Sequence, residues 1–557
     1  MNAALIGLAG AIWFVIMYRW YGGFIERKLA QPDNNRPTPS QTMGDNMDYV
    51  PSHPAILFGH HFSSIAGAGP IVGPILAYSF FGWLPALLWI LLGSVFIGAV
   101  HDYMSLMTSV RNRGASIADL AQQHVSNTAR WIFSIFLWLA LVLIISVFAV
   151  LTAQTLAEKP EIVIPTVGLM ALASVFGLLV YRRGVNLWLG TGIALVIMVG
   201  LILLGDVVPI YASFDFWLVT ALLYSLLAST IPVWVLLQPR DYLSMYILVI
   251  GLGLAFISLL VMQPEINGPA FTGFAGPQEM PLWPILFITV ACGAISGFHS
   301  MVASGTSAKQ LRRETDGKPI AFGGMLTEGA LAMIVVLLMS SVLFWKSAPD
   351  GDLGGYVFST LLAEKGANIT FGTAMGRVME SIGIPLTYGI AFGILMLNAF
   401  ILTTLDTCAR LTRYVMTESI GQKVAIMRNK YVATIAGLAV AYILTLGNSW
   451  KVLWPAFGAA NQLIGALALM VISAYLFGFK KATKYTMIPA IFMLATTESA
   501  LFYQLVWQYI PTANYALAII SVLLMVLGFV ISVEVYRRFQ RKPEMRSSEQ
   551  SIAVEET

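Results

Sequence analysis

His60, His61, His101 and His299, together with Asp102, Glu328 and Asp406, fall inside long apolar runs of the sequence. An ionisable side chain inside a membrane is costly and defaults to a functional reading. Histidine titrates near neutral pH, which suits a proton relay, and imidazole also binds metals. At helical rise, His60 and His61 lie about 8 Å from the inner end of their run, and His101 and His299 about 27 and 24 Å from the outer ends of theirs. Glu328 and Asp406 lie toward the same inner side, so one slab holds the whole set. The chemistry this supports is proton coupling, with His61, His101, Asp102, His299, Glu328 and Asp406 as candidates. The plain competitor is a buried histidine bonded to a neighbour, and Asp406 has Arg410 one turn on as a partner. His60 and His61 point about 100° apart on a helix and so do not share a target. No H-x-x-x-H spacing occurs, and neither a metal, a haem nor any other cofactor is expected. Glu498 reads as a packing residue.

Helix breakers mark where a ligand would meet these groups. Gly67, Gly69, Pro70, Gly73 and Pro74 crowd one apolar run, and the stretch Ala66–Pro74 is expected to be unwound. Unwound backbone at membrane depth is tolerated only beside protein or a water-filled cavity. A second interruption is expected at Ser229-Thr230-Ile231-Pro232. Hydroxyls at Ser300, Ser304, Thr306 and Ser307 are placed to face the first break, unless they only bond the preceding turn. The binding candidates are therefore His60, His61, Ser63, Ser64, Gly67, Gly69, Ser229, Thr230, His299, Ser300, Ser304, Thr306 and Ser307. A carboxylate suits the N-terminal end of a half-helix near Gly69–Gly73. Sodium on the backbone carbonyls and the nearby hydroxyls is the alternative ion.

These residues need a membrane scaffold. Only 11% of the 557 residues are charged and 58% are hydrophobic, with a mean hydropathy of +0.77. A soluble surface needs roughly 25% charge, so a soluble enzyme is excluded. A net charge of +4 is too small and dispersed for nucleic acid. Fifteen runs approach the roughly 20 residues that cross a bilayer. They are 2–20, 55–79, 83–110, 129–156, 162–181, 187–205, 216–238, 243–262, 283–305, 320–345, 384–409, 429–447, 452–478, 485–507 and 514–536, called spans one to fifteen. With the N-terminus outside and the C-terminus in the cytoplasm, only Lys159, Lys346, Lys365, Arg377 and Lys451 fall on the outer side. Residues 21–54 form a polar cytoplasmic loop, 355–379 a helix on the membrane surface, and 537–557 a charged tail.

Spans two and seven, five apart, cross in opposite directions. Paired interruptions of this kind point to an inverted-repeat transporter. The fold class is all-α and polytopic, a LeuT-type five-plus-five arrangement with repeats over 55–205 and 216–409. Residues 1–54 and 429–536 are peripheral. A rival seven-plus-seven arrangement rests on Gly59-x-His61-x5-Gly67 recurring as Gly297-x-His299-x5-Gly305. There is no phosphate-loop motif, so the protein is no energy-coupling enzyme but a secondary transporter, a channel or a receptor that senses a nutrient.

The sequence resembles the carbon starvation protein A (CstA) family. The resemblance rests on PSHPAILFGHHFSSIAGAGPIVGP from Pro51 to Pro74, GAVHD ending at Asp102, GFHSMVASGT from Gly297, TLDTCAR from Thr404 and LWPAFGAANQ from Leu453. It implies a bacterial inner-membrane importer of peptides or pyruvate, proton-coupled and used in carbon starvation. It also implies kinship with the amino acid–polyamine–organocation superfamily. The partners expected are a small-molecule substrate, protons and the lipid bilayer. The oligomeric state is left open.

Overall fold

The computed structural model describes residues 1–45, 48–348, 356–446 and 450–541. The expected tail from 542 onward and the start of the 355–379 helix lie outside them. The described residues form helices and a few isolated bridges, without strands. Helices satisfy every backbone group within the segment, which lipid demands. Thirteen helices are long and apolar enough to cross a membrane, and two shorter apolar ones, Phe214–Thr230 and Lys430–Thr445, fall at spans seven and twelve.

Helix α1 (Ala3–Arg19) is followed by further helical turns to Ala30, so the loop expected from residue 21 begins only beyond them. Span two is α2 (Pro54–Ile65) and α3 (Gly69–Phe81), separated by Ala66–Ala68. The break is real but shorter than expected. Pro70 sits in the first turn of α3, where its missing N–H costs nothing, and Pro74 removes a single bond. Gly73 serves packing instead of unwinding: a Cβ there would lie 2.5 Å from the Val290 carbonyl oxygen.

Span three is α4 (Trp83–Arg111), and the short α5 (Ile117–His124) joins it to the long α6 (Asn127–Glu158). Helices α7 (Val163–Gly177) and α8 (Leu187–Val207) follow. Span seven is not a broken helix. Helix α9 (Phe214–Thr230) simply ends, and residues 231–236 turn into α10 (Leu237–Met262). The second interrupted span is span nine: α11 (Leu282–Val290), a turn over Ala291–Ser296, then α12 (Gly297–Gly305). Ala291 takes a left-handed φ of 47°. At Gly297 a Cβ would lie 2.2 Å from the Asn461 carbonyl oxygen, so only glycine permits this approach.

Helix α13 (Gly323–Ser341) precedes α14 (Phe358–Glu364) and α15 (Gly366–Glu380). The surface helix expected over 355–379 is two helices: α14 is largely exposed, but α15 is a buried element. Most of α15 is inaccessible and packs on α16 (Leu386–Glu418), where a Cβ on Gly389 would lie 2.7 Å from the Gly376 Cα. Helices α6 and α16, 32 and 33 residues long, pack against each other through the middle of the molecule. Helices α17 (Lys430–Thr445), α18 (Trp450–Gly478), α19 (Lys484–Gln504) and α20 (Tyr515–Gln540) complete the chain. Span thirteen, α18, was expected at the periphery. It is almost wholly buried and touches α4, α6 and α12.

Residues 31–45 and 48–53 are no free loop. Ser40 Oγ donates to the Leu311 carbonyl at 2.8 Å, Ser52 N to the Gln310 carbonyl at 3.1 Å and Asp33 N to Glu314 at 2.8 Å. Glu314 also pairs with Arg111 at 3.0 Å and Arg36 at 3.6 Å. The segment straps the end of the bundle just beyond α12.

Candidate functional site

The two adjacent histidines of α2 diverge, as their 100° separation requires. His60 turns toward α10, where its Nδ1 lies 2.7 Å from Asp241 Oδ2. Its Nε2 lies 3.3 Å from Thr306 Oγ1. His61 turns toward α13, with its Nδ1 2.8 Å from Ser307 Oγ. A Cβ on Gly324 would lie 3.4 Å from the His61 ring. His60 thus joins one polar cluster while His61 bonds Ser307, and both rings are fully buried.

The first cluster centres on Arg240. Between spans seven and eight, Arg240 reads in the sequence as one of the inner-side loop cations; in the structure it lies in the first turn of α10 and is 2% exposed. Its guanidinium donates to Asp241 Oδ1 at 2.7 Å, to the Tyr224 hydroxyl at 2.7 Å and to Asp406 Oδ2. The Tyr224 hydroxyl also donates to Asp406 at 2.8 Å. Asp406 therefore does not pair with Arg410. The Arg410 guanidinium instead donates to Asp48 at 3.3 Å and to the Ala228 and Ile231 carbonyls where α9 ends. Ser63 Oγ donates to the Asp241 carbonyl at 2.8 Å, tying α2 to α10 beside this cluster.

The second cluster lies between α4, span nine and α13. Asp102 accepts from both flanking histidines, His101 Nδ1 and His299 Nδ1, each at 2.8 Å. His299 Nε2 then lies 3.3 Å from Glu328 Oε2. Cys292, in the span-nine break, brings its Sγ to the same point. Gly69 of α3 leaves room for it, since a Cβ there would lie 2.5 Å from Cys292 Sγ. Asn461 of α18 pins the break: its Oδ1 accepts from Phe298 N at 2.9 Å, and its Nδ2 donates to Ser296 Oγ at 3.0 Å and to Cys292 Sγ at 3.4 Å.

The hydroxyls at the span-two break come from α16. Thr404 Oγ1 donates to the Ser64 carbonyl at 3.1 Å, Thr407 lies 3.4 Å from Ser64 Oγ, and a Cβ on Gly67 would lie 2.6 Å from Thr404 Oγ1. Of the hydroxyls expected there, Ser300 and Ser304 each bond a carbonyl of the preceding turn at 2.7 Å. Thr306 and Ser307 meet the two histidines instead of the break. Ser229 and Thr230 also bond the preceding turn, at the end of α9, apart from both clusters. Glu498 lies against Gly528 of α20, away from the site. Sequence reasoning missed Tyr224, Arg240, Asp241, Cys292, Thr404, Thr407 and Asn461 as site residues. The acid following a buried arginine and the Asn in LWPAFGAANQ were the available signals.

The carbon starvation protein CstA family matches residues 2–349 and 353–500 of the chain. The chain is 31% identical to the peptide transporter CstA of Bacillus subtilis over 97% of both chains. It is 32% identical to the peptide transporter CstA of Escherichia coli, covering 90% of this chain and 81% of that one. It is 31% identical to the pyruvate/proton symporter BtsT of Escherichia coli, again over 90% and 81%. Among solved structures, a variant of the Eremococcus coleocola manganese transporter aligns with a TM-score of 0.50 at 11% identity, covering 89% of this chain and 99% of that one. That likeness speaks for the fold alone, which is of the LeuT type. The relatives are transporters, and this chain is a multi-pass membrane transport protein, not an enzyme. On the family match over nearly its whole length, the chain belongs to the carbon starvation protein CstA family.

Proposed function

We propose that the chain is a secondary active importer that carries a small carboxylate-bearing nutrient, a peptide or pyruvate, across the bacterial inner membrane with a proton, as a response to carbon starvation. The observation that carries this reading is the charge balance of the first cluster. Asp241 and Asp406 bring two negative charges to a single guanidinium, all buried. An uncompensated buried charge is costly, so neutrality asks for one proton more. His60 Nδ1, 2.7 Å from Asp241 Oδ2, lies within hydrogen-bond reach of this excess charge. A substrate carboxylate reaching Arg240 would displace Asp406 and draw in a further proton. One carboxylate is thereby tied to one proton. The relative named a pyruvate/proton symporter supports the same reading.

In this reading thirteen long spans and two short ones cross the membrane fifteen times, with the N-terminus outside. The interrupted spans two and nine are seven apart, which favours the offset of the rival repeat. Spans nine to thirteen then form the second unit. The pairing of long α6 with long α16 supports this register.

A second reading has one observation of its own. The Ser64 carbonyl with Thr404 and Thr407 presents oxygens at the break, suited to sodium in place of the proton. Proteoliposomes with an imposed pH or sodium gradient decide between the two ions. For the proton reading, an inward pH gradient drives accumulation of pyruvate or a short peptide and a sodium gradient does not. Asp406→Asn, which keeps hydrogen-bonding capacity but cannot take the proton drawn in with the substrate, should abolish accumulation while leaving exchange partly intact. Normal pH-driven uptake by that variant would rule out Asp406 as the coupling group, and no uptake under either gradient would favour a receptor.

A further inference from the structure

Cys292, His299 and Glu328 come from three different stretches of chain, which is why no sequence spacing could announce them. Cys292 lies in the span-nine break, His299 on α12 and Glu328 on α13. One ligating atom from each lies within 4.8 Å of the others, and all three side chains are buried.

Three features make this more than a meeting of polar groups. His299 commits its Nδ1 to Asp102, which leaves its Nε2 turned toward Glu328 Oε2. Ligating histidines are held by a carboxylate on the other ring nitrogen in just this manner, and here His101 steadies that carboxylate in turn. Both Glu328 oxygens and His299 Nε2 are buried without a hydrogen-bond partner, although they lie 3.3 Å apart. Buried polar atoms are rarely left so. Among the described residues, no Lys or Arg pairs with Asp102 or Glu328.

We propose that Cys292, His299 and Glu328 bind one divalent transition-metal ion of the Zn²⁺ or Fe²⁺ kind, with Asp102 as the residue that positions His299. A thiolate and a carboxylate bring the two negative charges that such an ion neutralises. Thiolate, imidazole and carboxylate together select this class over Mg²⁺ or Ca²⁺. Bond lengths of about 2.0–2.3 Å put such donors about 3.3–3.6 Å apart. The His299–Glu328 separation of 3.3 Å already fits, and the sulfur has about 1 Å to travel. Three protein ligands leave a fourth position open for water or another ligand. Because Cys292 and His299 stand on either side of the Ala294–Ser296 turn, an ion here would fix the break and join it to α13. The proposal does not depend on which ion couples transport.

Co²⁺ titration of the full chain, purified with a strong chelator and then freed of it, tests the proposal. The expected result is a thiolate-to-cobalt charge-transfer absorption that saturates at about one equivalent. It disappears in Cys292→Ser and persists in Cys408→Ser, the chain's other cysteine. Asp102→Asn should keep the absorption while weakening Co²⁺ binding about 10- to 100-fold. Should Cys292→Ser fail to fold, His299→Gln and Glu328→Gln are read for altered absorption. The thermal unfolding of the unaltered chain should then rise when Zn²⁺ is added. Absence of the absorption, its persistence in Cys292→Ser, or a Zn²⁺ shift of zero would overturn the site.

Discussion

The two clusters flanking span two are built from similar acids and histidines, yet one contains its own cation and the other does not. Around Arg240, two carboxylates and a tyrosine hydroxyl converge on a guanidinium with five donors. Around His299, two carboxylates and a thiol converge with only imidazoles to oppose them. The first holds its acids on a cation of its own. The second has no Lys or Arg among the described residues to do the same. Neighbouring side chains on one helix, His60 and His61, thus take different partners, Asp241 and Ser307, less than a helical turn apart.

Deleting the cation is the severest way to break this contrast. Arg240→Met leaves Asp241 and Asp406 buried without a counter-charge, which should cost about 3–5 kcal/mol. Thermal unfolding or the yield of monodisperse protein measures it. Adding Asp406→Leu should recover part of the loss; no recovery would show that the arginine's role is packing. Crowding the other cluster comes next. Gly69→Ala places a Cβ 2.5 Å from Cys292 Sγ, so overpacking should cost about 1–3 kcal/mol. The same variant should weaken Co²⁺ binding, which separates it from a change in stability alone.

The sharpest comparison uses Glu328→Gln. No buried cation is left stranded there, so in the presence of chelator its stability should change by less than about 1 kcal/mol, against the large loss at Arg240. A loss as large as that of Arg240→Met would mean that Glu328 pairs with a cation of the protein. The smallest effect is expected at Ser304→Ala, within about 0.5 kcal/mol, because its hydroxyl only bonds the Ser300 carbonyl. Unfolding and uptake should both stay near the unaltered values; a large uptake defect would return Ser304 to the site.

What was legible in the sequence followed from local physics. Proline and glycine announced the span-two break, and charge inside apolar runs announced four buried histidines and three buried acids. The rest depended on distant partners. The span-nine break has no proline; it is set by Ala291 and by Asn461, whose contact with Ser296 spans 165 residues. Arg240 looked like a loop cation because arginine ordinarily marks loops, and its partner Asp406 lies 166 residues on. Ser229–Pro232 carried the right residues for a break but ends a helix, since one proline cannot distinguish the two outcomes. The buried α15 hid behind its mixed composition, which reads alike for a surface helix and for one packed through glycines.

The strap that ties Asp33 and Ser40 to Glu314 and Leu311 has a consequence for how the protein is made. Asp33 emerges from the ribosome 281 residues before the Glu314 that receives it. At about 5–20 residues per second, that interval is roughly 15–60 s. During it the strap's polar groups have no docking surface, while spans two to nine are being inserted. Its locking onto Glu314 and Leu311 is therefore a late event of biogenesis, and the end of the bundle it covers stays open until the second interrupted helix is in place.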